Sequence, residues 1–157
     1  MGNYQFTKRD ALILNFMKEI GQKEISGSGA NPRIVEYLGT VDMPSDDEIP
    51  WCAAFINWIV KSIGLDGTGS ALARSFLKWG SETESPLPGD IVVISRGDSP
   101  YLGHVGLYLD SNQGVVLIGG GNQFDRVGVN GYSRSRVLSF RTHPLLSKHV
   151  VSWDVNG

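Results

Sequence analysis

The sequence predicts an α+β fold, with helices in the first half and an antiparallel sheet in the second. Up to about residue 80, apolar residues recur at helical spacing between capping residues and glycine stops; from Pro86 they gather in short β-branched runs. Twenty glycines and seven prolines in 157 residues supply many turns. The reversals between the β-branched runs are too short for parallel crossovers, so the strands are expected to pair antiparallel. The length suits one domain spanning 1–157.

Thr7 followed by Asp10 resembles a capping box, and Ala11, Ile13, Leu14, Phe16, Met17 and Ile20 form a broad apolar helical face that ends at Gly21. A polar stretch from Gln22 to Ala30 follows. Asn31-Pro32 then opens a short helix carrying Ile34, Val35 and Leu38. After an acidic loop, Asp42 to Glu48, comes Ile49-Pro50-Trp51-Cys52-Ala-Ala-Phe-Ile-Asn-Trp-Ile-Val60, with Pro50 placed to start a helix and Gly64 to end it. Because this run is apolar on every side, its helix is expected to be buried at the centre and packed on the sheet. A fourth helix is expected from Ser70 to Trp79, stopped by Gly80.

Strands are expected at Asp90–Ser95, Gly103–Leu109, Val115–Ile118, Asp125–Val129 and Val137–Arg141. Alternation puts His104, Gly106 and Tyr108 on one face of the second strand and Val105, Leu107 and Leu109 on the other. The turn before the third strand is read as Asp110 to Gly114, and Gly119-Gly-Gly-Asn-Gln123 follows that strand.

Fourteen basic and sixteen acidic side chains give a net charge of −2, with no basic patch of the kind nucleic acid requires. Lys8 to Asp10 interrupt any signal-peptide core, and Ile49–Val60 is too short to cross a bilayer. No membrane insertion, no nucleic-acid partner and no oligomer beyond a monomer is expected. A single cysteine excludes an internal disulfide and a multi-cysteine zinc site.

That cysteine is either a small buried hydrophobe or a reactive thiol. Cys52 falls in the first turn of the central helix, where unpaired N–H groups and the helix dipole favour thiolate. Its own N–H is free to face an oxyanion. A nucleophile there needs a base, and the base needs an orienting acceptor. Of three histidines, His104 lies on a strand between two glycines, Gly103 and Gly106, whereas His143 and His149 fall in the less patterned C-terminal segment. Asn122 falls toward the same end of the expected hairpin as His104, where its amide oxygen could fix the imidazole tautomer. Alone, each of the three also has an ordinary structural reading; the functional reading rests on their joint order.

Pro50-Trp51-Cys52-Ala-Ala-Phe-Ile-Asn-Trp58, Pro88-Gly-Asp-Ile-Val-Val93, Gly103-His-Val-Gly106 and Gly120-Gly-Asn-Gln123 together resemble the CHAP and NlpC-type peptidoglycan hydrolases. Asn31 to Tyr37 is most similar to a phage and prophage branch, and the likeness runs from about residue 12 to 141. It implies a papain-like fold and cleavage of an amide bond in the peptide part of bacterial peptidoglycan, by an endopeptidase or an N-acetylmuramoyl-L-alanine amidase. Cys52 is then the nucleophile, His104 the base and acid, and Asn122 the orienter. Many CHAP domains carry a glutamate two residues before that asparagine; here the position is Gly120, which leaves a Cys-His-Asn set.

Trp51, Asp47, Glu48 and Gln123 are the expected substrate contacts. Trp51 reads equally as core, and Asp46, Asp47 and Glu48 as acids at a helix N-terminus. Their spacing does not match a calcium loop, so neither metal nor cofactor is expected. A phage endolysin, made in the host cytoplasm and released to the wall with a holin, is the expected setting; a virion-borne lysin or an injected effector are alternatives. A non-catalytic wall-binding or virion structural domain, and a thiol acyltransferase, are the rival functions.

Overall fold

The computed structural model describes residues 5–25, 31–42 and 50–150. Helix α1 (Lys8–Glu19) begins with the expected capping box: the Thr7 hydroxyl accepts the Asp10 N–H, and the Asp10 carboxylate accepts the Thr7 N–H at 2.9 Å. Helix α2 (Pro32–Leu38) is capped by Asn31, whose side chain accepts the Arg33 N–H at 2.9 Å. Helix α3 (Cys52–Ser62) follows Pro50 and terminates at Gly64, which takes the left-handed conformation (φ +82°). As its sequence demands, α3 is buried from Cys52 through Asn57 and again at Ile59 and Val60. Among the described residues, no helix is long and apolar enough to cross a membrane.

Six strands form one antiparallel sheet: β1 (Ser81–Glu82), β2 (Ile91–Ser95), β3 (Gly103–Asn112), β4 (Val115–Gln123), β5 (Arg126–Ser133) and β6 (Val137–Thr142), in the order β1-β6-β2-β3-β4-β5. Strands β3 and β4 outrun their sequence-based limits because the reversal between them is tight. Only Gln113 and Gly114 turn the chain, both at positive φ, as a two-residue hairpin requires. The expected alternation is present. Ile91, Val93, Val105 and Leu107 join the helical core, while Val92, Ile94, Tyr108, Val116, Ile118 and Phe140 form a second core on the other face.

Two expectations need correction. On α1 the buried stripe is Leu12, Phe16 and Glu19, not the broad face around Leu14, Met17 and Ile20, all three of which are exposed. A narrow ridge suffices because Phe16 meets Phe55 edge-on, with centroids 6.2 Å apart, and Glu19 is drawn inward by a 2.6 Å hydrogen bond from the Tyr37 hydroxyl and a 2.8 Å ion pair with Arg33. The fourth helix is only a 3₁₀ segment, Ala73–Lys78. Residues 70–72 are diverted by local bonds, Ser70 N–H to Thr68 Oγ1 and Leu72 N–H to Ser70 Oγ, which compete with helix formation.

Candidate active site

Cys52 is the first residue of α3, and no side chain caps the helix there. Among the described residues nothing accepts its N–H. Its side chain is 3% exposed, yet it lines a groove of about 460 Å³ with Asp42, Pro50, Ser70, Ala71, Leu72, Ala73, Arg96, Tyr101, Leu102 and Gly103.

The groove walls are tied to the helix that carries the sulfur. Asn57, one turn beyond Ala53, donates to the Ala53 and Ser70 carbonyls (2.9 and 3.2 Å) and accepts the Gly69 N–H at 2.8 Å. This fixes the 67–70 loop on α3. On the opposite wall Arg74 donates to the carbonyls of Leu102 and Ser99 at 2.7 and 2.6 Å, anchoring the loop that enters β3. The space beside Gly103 is filled rather than open: a Cβ there would lie 2.8 Å from the Ile94 carbonyl oxygen.

His104, second residue of β3, lies within hydrogen-bonding reach of the Cys52 thiol, and each shifts the other. Burial pushes the thiol up, but the hydrogen bond and charge of His104, with the N–H groups of Val105 and Ala53, outweigh it and hold Cys52 below the ordinary thiol value. Burial likewise pushes His104 down. The Cys52 sulfur and the bond to Gln123 outweigh that, against a smaller opposing charge on Arg136, and His104 is held above the usual imidazole value. Opposed shifts of this kind favour a thiolate–imidazolium pair.

The acceptor on the imidazole is Gln123: His104 Nε2 lies 2.9 Å from Gln123 Oε1. The glutamine amide has no freedom to flip, because its Nε2 donates to the carbonyls of Ile118 (3.1 Å) and Gly128 (2.8 Å). Oε1 must then be the atom facing the ring, the ring nitrogen there must carry a proton, and Nδ1 is left for the sulfur.

Asn122, the expected orienter, is not brought to His104. The β4–β5 pairing shifts register between Gly120 and Gln123, and Asn122 takes a left-handed conformation (φ +54°) within the bulge. The bulge re-aims the next side chain inward, which also corrects the reading of Gln123 as a substrate contact. It is 2% exposed and wholly engaged. Trp51 is likewise no wall of the groove. It is 3% exposed, stacks on Tyr37 with centroids 5.9 Å apart, and donates its indole N–H to Glu24. Gly121 admits it closely, since a Cβ there would meet Trp51 and Phe55 at 2.7 Å. Asp47 and Glu48 lie outside the described residues.

Arg96, Asp42 and the apolar pair Tyr101 and Leu102 escaped sequence reasoning. They come from separated loops with no motif, although Arg96 and Tyr101 flank the segment that leads into His104. Among the described residues, no group of three His, Cys, Asp or Glu side chains is arranged to hold a metal.

The family model of the CHAP domain matches residues 44–122, half of the chain. Among solved structures, the chain is similar to a Staphylococcus aureus subsp. aureus Mu50 protein described as similar to lipoprotein, NLP/P60 family. Identity is 17%, the TM-score is 0.54, and the alignment covers 91% of this chain and 45% of that one. The chain thus spans less than half of that protein, and at this identity the likeness concerns the fold: mixed helix and antiparallel sheet of the papain-like kind. No curated protein matches the chain.

Proposed function

The chain belongs to the CHAP domain family, which points to peptidoglycan-related hydrolysis by a cysteine peptidase or amidase, and we propose that it cleaves an amide bond of the peptidoglycan peptide with Cys52 as nucleophile. The observation that carries this reading is the coupling of Cys52 and His104, opposed in their shifts, with Cys52 lining a groove.

The Cys52 thiolate attacks the amide carbonyl carbon, and the oxygen takes up negative charge beside the Cys52 N–H at the helix start. The His104 imidazolium, oriented by Gln123, gives its Nδ1 proton to the leaving nitrogen as the C–N bond breaks, leaving a thioester and a free amine. Water then enters. His104 takes a proton from it, hydroxide adds to the thioester carbonyl, and collapse releases the acid and restores the thiolate–imidazolium pair.

The likeness of Asn31–Tyr37 to phage members supports a lytic setting. Purified cell wall incubated with wild type and Cys52→Ala tests the whole reading. Release of new amino termini by wild type alone is expected, and mass spectrometry of the fragments identifies the bond. Equal release by both proteins, or wall binding without release, overturns it.

A further inference from the structure

The hydrogen bond that orients His104 has an outer guard. Tyr132, half-buried on the edge strand β5, donates its hydroxyl to the same Gln123 Oε1 at 3.1 Å, and its ring lies 5.5 Å from the imidazole, inclined by 32°. With both amide hydrogens and both oxygen lone pairs used, Gln123 has no capacity left for water. Behind Tyr132, the Arg136 guanidinium lies 5.3 Å over the phenol ring and donates through Nε and an Nη to the Ser95 carbonyl, at 3.2 and 2.8 Å. Ser95 pairs with Gly103, the residue before His104. The contacts close a ring running Gly103–His104–Tyr132–Arg136–Ser95, so the tyrosine is braced against the strand end that carries the histidine.

We propose that Tyr132, braced by Arg136, is a positioning residue of the thiol reaction: it keeps water from the His104–Gln123 hydrogen bond and fixes which imidazole nitrogen carries the permanent proton. The inference rests on the thiol reading of Cys52 and His104. The hydroxyl completes the amide's bonding, and the ring supplies the low-dielectric cover in which that bond is strongest. The charged groups that bear on His104 are Cys52 from α3, which raises it, and Arg136 from the turn before β6, which lowers it; Gln123 acts as a neutral dipole, and the titratable Tyr132 of β5 faces the imidazole through its ring. Opening the cover lets water compete for Oε1 and frees the ring to turn, so the imidazole is held less firmly toward the thiol; because the same opening relieves the burial that pushes the thiol up and His104 down, the loss is read first in turnover.

The test follows Cys52 alkylation by iodoacetamide across roughly pH 4–9, beside steady-state turnover of a wall peptide, on the full chain as wild type, Tyr132→Phe and Tyr132→Ala. For Tyr132→Ala kcat is expected to fall roughly tenfold at unchanged KM, and the alkylation midpoint to move away from the wild-type value. Tyr132→Phe keeps the cover and is expected between the two. Should Tyr132→Ala lose the fold by near-UV circular dichroism, Tyr132→Phe, lacking one oxygen, decides: a shifted midpoint with lower kcat supports the role, and identity with wild type overturns it. A wild-type midpoint at the ordinary thiol value overturns the thiol reading, and this inference with it. A depressed wild-type midpoint left unchanged in a folded Tyr132→Ala overturns the inference alone.

Discussion

His104 Nε2 stands 2.9 Å from Gln123 Oε1, and Asn122, one residue earlier in the chain, makes no such contact. The bulge between Gly120 and Gln123 sets this difference, because it changes which side chain re-enters the sheet after the glycine run.

Gln123→Ala is therefore expected to lower kcat roughly 10- to 100-fold, a loss of about 1.4–2.7 kcal/mol in transition-state stabilisation, with KM little changed. Gln123→Asn, one methylene short of the ring, should behave similarly. Asn122→Gly, which suits the left-handed backbone at that position, should keep wild-type kcat. Steady-state kinetics of the three variants on one wall peptide separate these outcomes.

The pH profile should be bell-shaped, and both limbs belong to the pair. Since Cys52 lies below the ordinary thiol value, kcat/KM rises as pH passes that depressed value; since His104 lies above the ordinary imidazole value, kcat/KM falls as pH passes the raised one. In Cys52→Ala the sulfur no longer offsets burial, so the His104 titration followed by NMR should move to lower pH than in wild type.

Arg96 is the one lysine or arginine among the described residues lining the groove, and no described side chain pairs with it. A peptide presenting a free carboxylate should bind against it. Arg96→Gln is expected to raise KM for such a peptide roughly tenfold, or about 1.4 kcal/mol, and to leave KM for the amidated peptide unchanged. Equal effects on both peptides would show that the charge does not select substrate.

Gly121→Ala inserts a methyl 2.7 Å from both Phe55 and Trp51. Overpacking of this kind costs about 1–3 kcal/mol, which urea unfolding should read as a lower midpoint at unchanged slope. Because the same contact seats the start of α3 beside the bulge, kcat should fall too, whereas the exposed neighbour change Phe124→Ser should leave stability within about 0.5 kcal/mol.

Much of the molecule was legible in the order of residues. Local chemistry specifies the caps at Thr7 and Asn31, the proline and glycine that bracket α3, and the alternation of Val105 and Leu107 against His104 and Tyr108, because each acts within a few residues of chain. A helix apolar on every side had to be central, and a cysteine at its first turn had to meet unpaired N–H groups. The sequence could not tell which residue turns to meet His104. Its place at the end of the expected hairpin suggests Asn122, whereas the bulge and two fixed carbonyls, of Ile118 on β4 and Gly128 on β5, select Gln123. Nor could it tell that Trp51 turns inward, that α1 uses only a narrow ridge, or that Tyr132 on β5 and Arg136 in the turn after it brace the histidine from far along the chain. Those choices depend on pairing register and on contacts between segments distant in sequence, which no local pattern encodes.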